Sequence, residues 1–292
     1  MSDILVLGAL HYDVVVDAPR LPGIDETLPG TSVDYRFGGK GGNQAVAAAR
    51  MGGSVAMAGR VGRDAAATSL RSALEAAGVD ATQVKGTDAA TGMSVAITLP
   101  SGDYGAVIVS GANRLNDGVV DLPASLQTVI LQNEIPLAAN LALVRRLPGN
   151  VRLIVNAAPA RTLDDEIAAR TDLLVVNRVE AEALTAHAEP IEAAKALAET
   201  SRGSVLLTMG ADGLIIADRG ETRHLPARKV DVVSTHGAGD MFVGALAARL
   251  TDGDPRDEAV EFANAAAALF VSLPIAARDS LTAGDVRDFM AR

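Results

Sequence analysis

The chain has 292 residues, 49% of them hydrophobic and 21% charged, with 26 Lys plus Arg against 36 Asp plus Glu, a formal net charge of −10. That apolar share excludes disorder and suffices for a large core, in one large α/β domain or two smaller ones, while the acidic balance excludes the basic footprint that nucleic acid or an anionic membrane surface requires. The absence of Cys excludes disulfides, thiolate nucleophiles and zinc ribbons and suits a reducing compartment, and the scattered His11, His187, His224 and His236 form no HExxH pair.

The N-terminus runs straight into an apolar segment with no basic leader, and no apolar run is long enough to span a bilayer, so a cytoplasmic protein is expected. Residues 4–10 form a continuous apolar run through Gly8, as in a strand buried on both faces of a parallel sheet. Residues 19–42 carry Pro19, Pro22, Pro29 and a glycine cluster, too broken for a helix; 43–51 is Ala-rich with helical spacing and stops at Gly52-Gly53. A strand at 55–58 precedes a helix capped by Asp64, running through Ala77 and closed by Gly78. Strands are then predicted at 128–131, 153–156, 173–176, 205–209 and 214–217. Helices are predicted near 137–147, 164–170, 179–186, 190–202, 240–251 and 256–272.

This alternation predicts an α/β fold, a doubly wound, mostly parallel central sheet with helices on both faces. Two segments break the rhythm: 14–16 with 34–37, and 91–99 with 105–110, the latter joined by the turn Pro100-Ser101-Gly102-Asp103-Tyr104 and read as a hairpin. They predict a small β-sheet lid, from about 12–37 and 91–110, inserted in a single domain spanning 1–292; a surface decoration fits the pattern equally well.

The sharpest motif is Ser234-Thr235-His236-Gly237-Ala238-Gly239-Asp240, which opens an Ala-rich helix. Small residues at a helix start leave N–H groups uncovered at the positive end of the dipole, an anion hole, and a carboxylate there suits a general base. An ordinary first-turn acid would look the same. In Phe37-Gly38-Gly39-Lys40-Gly41-Gly42-Asn43-Gln44-Ala45 the glycines allow close approach to a ligand, with Lys40 and Asn43 as donors; the segment is neither a Walker loop nor a dinucleotide fingerprint. Asn177 and Glu180 follow a strand and offer oxygens that suit Mg²⁺, or else mark an acidic helix start. Thr208-Met209-Gly210-Ala211-Asp212-Gly213 could cradle a nucleotide or form a tight turn. Glu134 and Asp13, placed after apolar strands, are positions that line the ligand crevice of an α/β sheet.

In their order and separation, the glycine cluster before Asn43, Asn177-x-x-Glu180, Thr208-x-Gly210 and Gly237-Ala238-Gly239-Asp240 resemble the ribokinase family of carbohydrate and nucleoside kinases, the PfkB group, over nearly the whole chain. The resemblance implies ATP-dependent phosphorylation of a primary hydroxyl on a ribose-like sugar. Asp240 would be the base and Gly237, Ala238 and Gly239 the anion hole. Glu180 with Asn177 would organise Mg²⁺; Thr208, Gly210 and Gly213 would border the nucleotide phosphates and ribose, and Asn264 the adenine. His11, Asp13, Gly39, Lys40, Asn43 and Glu134 would grip the sugar, and lid strands would pair two subunits into a homodimer. The family pattern has Asp where this chain has Ser234, and its cation-loop stretch here reads Ala276-Ala277-Arg278-Asp279-Ser280, which argues against K⁺ activation. His11 stands where the family has Asn; its ring can stack, which keeps open a nucleoside or pseudouridine kinase. A non-catalytic ligand-sensing relative is disfavoured because Asp240 is present.

Overall fold

Every side chain of strand β1 (Ile4–Leu7) is fully buried, Ile4 and Val6 in one helical layer, Leu5 and Leu7 in the other, so the strand has no solvent face and takes the middle of the sheet. The structure, a computed structural model, describes residues 2–101 and 103–292. From β1 the chain enters β2 (His11–Asp17) and β3 (Ser32–Gly38), then α1 (Lys40–Arg50), β4 (Val55–Val61), α2 (Ala65–Ala76) and β5 (Asp80–Gly86). Strands β6 (Gly92–Thr98) and β7 (Tyr104–Val109) follow, then β8 (Thr128–Leu131), α3 (Leu137–Val144), β9 (Arg152–Asn156) and α4 (Asp165–Arg170). Next come β10 (Leu173–Asn177), α5 (Arg178–Thr185), α6 (Pro190–Thr200), β11 (Ser204–Thr208), β12 (Leu214–Asp218) and β13 (Glu221–Leu225). Helices α7 (Ala238–Asp252), α8 (Arg256–Ser272) and α9 (Ala283–Met290) end the chain.

The main sheet is nine-stranded, in the order β13-β12-β11-β10-β9-β8-β1-β4-β5, parallel except where β12 and β13 turn back along one edge. Alternate residues of each strand feed two cores: one under α1, α2, α7 and α8, the other under α3 to α6. Strand order reverses at β1, which pairs with β4 on one side and β8 on the other, and that switch opens a crevice beyond the C-terminal strand ends. No helix among the described residues is long and apolar enough to cross a membrane.

A separate four-stranded sheet, β3-β2-β6-β7, stands over that crevice. Its β6–β7 pair is antiparallel, as a hairpin requires; Gly102 of the expected turn lies outside the described residues. The run 4–10 is not one strand. Asn113 Oδ1 accepts the Leu10 N–H at 3.0 Å and its Nδ2 donates to the Leu10 carbonyl at 2.8 Å, a side-chain substitute for a strand neighbour that diverts the chain into β2. Asp13 therefore lies within a strand of the small sheet and not at the end of a core strand.

Helix α1 also begins at Lys40, inside the glycine cluster. The glycines serve packing more than ligand approach: a Cβ on Gly41 would lie 2.7 Å from the Gly8 Cα, one on Gly42 2.7 Å from the Phe37 ring, and one on Gly38 2.2 Å from the Asp13 carboxylate. Strands β5 and β13 and helix α9, which the sequence pattern did not predict, are short and mostly polar elements along the edges.

Candidate active site

Helix α7 crosses α1 at a distance only small residues permit. A Cβ on Gly244 would lie 2.5 Å from the Ala47 Cβ and 2.6 Å from the Ala48 backbone nitrogen. One helical turn earlier on both helices, the same crossing faces Asp240 with Asn43 and Gln44. Asn43 Nδ2 donates to Asp240 Oδ2 at 3.1 Å, and Gln44 Nε2 donates to Asp240 Oδ1 at 2.9 Å. Gln44 is itself held, with Nε2 3.0 Å from Asn156 Oδ1 and Oε1 accepting from Gln132 Nε2 at 2.7 Å. The carboxylate is thus aimed by a buried amide relay from α1, β9 and the end of β8.

Asp240 lines a cleft of about 700 Å³, together with Asn43, Phe37 of the small sheet, His236 and Gly237. Burial pushes its carboxyl above the usual range, opposed by the Lys40 charge, by the hydrogen bonds from Gln44 and Asn43, and by His236. At the head of α7, Gly237 adopts φ +80°, a left-handed conformation open to glycine. The Ala238 N–H closes a turn onto the Thr235 carbonyl at 3.2 Å, whereas the amides of Gly237 and Gly239 have no partner among the described residues. Of the three amides expected to meet an anion, those of Gly237 and Gly239 are uncommitted, and that of Ala238 is engaged.

Glu134, just past β8, accepts the Lys40 backbone N–H at 2.7 Å; burial raises its carboxyl, and the Lys40 amide and charge oppose that shift. Asp13 is raised mainly by burial, with His11, His236 and Arg36 pulling it down and Glu134 pushing it up. Its Oδ1 and the Nε2 of His11 are buried polar atoms without a partner among the described residues. The His11 ring is only 5% exposed, and burial lowers its pKa. Gly39, at φ +87°, caps α1; a Cβ there would lie 2.6 Å from the Ala9 carbonyl oxygen.

In the parallel register Asn177 of β10 lies opposite Thr208 of β11. Asn177 caps α5: its side chain accepts the Glu180 N–H at 2.9 Å, and Glu180 Oε2 accepts the Asn177 N–H at 2.8 Å. The acidic helix start is therefore real. Burial raises the Glu180 carboxyl, Asn177 and Lys40 hold it down, and Asp240 pushes it up. Thr208 Oγ1 donates to the Val176 carbonyl at 3.3 Å, and 210–212 form the tight turn of the β11–β12 hairpin. Gly213 packs against 225–227, and Asn264 Nδ2 donates to the Pro226 carbonyl at 2.9 Å, so those two expected nucleotide residues meet at one segment. Gln44, Gln132, Asn156 and His236 had been given no role from sequence. Gln44 lies inside the glycine-rich segment 37–45, which is a local signal; Gln132 and Asn156 carry none.

A family model for the pfkB family of carbohydrate kinases matches residues 1–282. The chain belongs to that family. Its members are phosphotransferases that use ATP and act on a sugar hydroxyl. Ribokinase of Haemophilus influenzae is 33% identical over 279 residues, 91% of this chain and 91% of that protein. Ribokinase of Mus musculus is 38% identical over 259 residues, 84% of this chain and 80% of the relative. Among solved structures, Arabidopsis thaliana ribokinase complexed with ribose and ATP superposes with a TM-score of 0.92 at 26% identity, over 100% of this chain and 99% of that one.

Proposed function

We propose that this pfkB kinase phosphorylates the primary hydroxyl of ribose or a closely similar pentose, with Asp240 as the base. The observation that carries the sugar reading is the pair of buried, unpartnered polar atoms in the lid, Asp13 Oδ1 and His11 Nε2, beside Glu134 and Lys40. Buried polar atoms without partners are costly, and a polyol supplies the hydroxyls they need. Asp240, held by two amide donors, takes the proton of the attacking hydroxyl. The Gly237 and Gly239 amides at the N-terminus of α7 receive the negative charge that develops.

Oxygen donors at Asn177 and Glu180 fit Mg²⁺, which keeps waters and bridges substrate phosphates, and no group of three or more ligating His, Asp or Glu is needed or found among the described residues. Bound Mg²⁺ would supply charge neutralisation for the phosphates. Thr208, Gly210, Gly213 and Asn264 would border the nucleotide. In this reading the small sheet is a lid on a single 1–292 unit, which acts in the cytoplasm and not on membranes or nucleic acid.

Tyr35, Val14, Val95 and Val107 align in one row across the lid, and Tyr35 and Val107 are 58% and 66% exposed. Such an apolar row fits a second copy of this chain, and Val107→Glu should convert a dimer to a monomer by light scattering. The kinase reading is tested by ADP formation with ribose, 2-deoxyribose, fructose, adenosine and pseudouridine. Ribose should give the highest kcat/KM; a nucleoside ahead of every free sugar would overturn the substrate assignment, and no turnover with any acceptor would overturn the kinase.

A further inference from the structure

Arg278 is only 6% exposed, yet no carboxylate lies within 4.0 Å of it among the described residues; its neighbour Asp279 pairs with Arg50 at 2.7 Å instead. The guanidinium is surrounded by backbone carbonyls. Nη2 donates to Ser234 O at 2.7 Å and reaches Val271 O at 3.5 Å, Nη1 donates to His236 O at 3.0 Å, and Nε donates to Leu273 O at 3.3 Å. Its other contact is the Phe270 ring, 4.5 Å from centroid to Cζ, and that same ring lies 3.2 Å from where a Gly237 Cβ would be. An arginine stays charged in proteins, so burying one without a counter-ion is unfavourable unless the carbonyl shell replaces its hydration.

Ser234 and His236 belong to the loop that delivers Gly237 and Gly239 to the head of α7, while Val271 and Leu273 end α8. The loop is also pinned directly by Val233 N–H onto Val271 O at 2.9 Å. A ring of carbonyl oxygens is the coordination that a dehydrated monovalent cation takes. Here a covalently tethered cation fills it.

We propose that Arg278 is a positioning residue: its guanidinium is a built-in monovalent cation that locks the 234–236 loop onto the end of α8 and so fixes the aim of the Gly237 and Gly239 amides. This rests on the kinase reading of the α7 head. The enzyme should accordingly work equally well in K⁺ and in a large organic cation.

The test uses Arg278→Ala and Arg278→Lys in the full chain, with two readouts. In the ADP assay, Arg278→Ala should lose about 10–100-fold in kcat, as for a slight misplacement of catalytic donors, with KM for sugar and ATP within about threefold. Arg278 lines the 700 Å³ cleft, so a small cation can reach the vacated site. Millimolar guanidinium should recover at least tenfold of the lost kcat, and it should slow the wild type slightly or not at all. In ligand-free thermal melts, which do not depend on catalysis, guanidinium should raise the Tm of Arg278→Ala and lower that of the wild type.

Wild-type kcat in Arg278→Ala, absence of both rescue and Tm rise, or strong K⁺ activation of the wild type would each overturn the proposal. Should Arg278→Ala not fold, Arg278→Lys decides: one ammonium cannot span the carbonyls, so a lowered kcat at unchanged KM supports the proposal and a wild-type kcat refutes it. If the wild type turns over no acceptor, the kinase reading fails, while the melts still report on the tethered cation.

Discussion

Replacing Gln44 with Met removes one of two donors to the Asp240 carboxylate without touching substrate. The Gln44 Nε2 to Asp240 Oδ1 distance is 2.9 Å, and a hydrogen bond to a charged group is worth about 1.5–3 kcal/mol. Because that bond favours the ionised form, its loss raises the pKa of the base, and at 1.36 kcal/mol per unit the shift is about 1–2 units. The acid limb of kcat/KM, where activity disappears as Asp240 takes up its proton, should move to higher pH by that amount, while kcat on the alkaline plateau stays within a few-fold. The substitution also strands the Gln132 Nε2 donor and the Asn156 Oδ1 acceptor, at about 1–3 kcal/mol each. Rates should therefore be taken well below the variant's Tm, by coupled ADP release across the acid range. A folded Gln44→Met enzyme whose acid limb coincides with the wild type would show that the relay does not hold the base.

Asp240→Asn should lower kcat by about 10²–10⁴ with KM little changed, measured in the same assay; near-normal turnover would remove Asp240 from the chemistry. Lys40→Met removes a positive charge that lowers the pKa values of Asp240, Glu134 and Glu180, so its acid limb should also move to higher pH. Gly244→Ala forces a methyl into 2.5 Å of the Ala47 Cβ, and should cost about 1–3 kcal/mol by denaturant melts and reduce kcat as Asp240 separates from Gln44. Asp64 caps α2 through the Ala67 N–H at 2.9 Å and also accepts the Thr91 N–H at 2.8 Å; burial pushes its carboxyl up, but the Thr91 and Ala67 hydrogen bonds win and hold it below the usual range. Asp64→Ala should cost about 0.5–2 kcal/mol at neutral pH, and the difference from wild type should vanish as pH falls through the depressed pKa, followed by melts at several pH values.

What the sequence determined alone was whatever backbone sterics and side-chain periodicity decide locally. The apolar runs at 129–131 and 214–217, the cap at Asp64, the helix at 256–272 and the glycine-rich head of α7 each carry their signal within a few residues, and their order along the chain resembles one family. Tertiary structure decided the partners. Asn43 and Gln44 meet Asp240 from 197 and 196 residues away because Gly244 lets two helices nearly touch, a distance no local pattern encodes. Asn113, 103 residues on, turned an apparently continuous strand into a core strand and a strand of the small sheet, so Asp13 sits above the crevice. Arg278, which in sequence only altered a loop, is enclosed by carbonyls from the nearby end of α8 and from the 234–236 loop, 42 and 44 residues away. Hydrogen-bond partners of buried polar groups are set by which elements pack together, and that is a property of the assembled core.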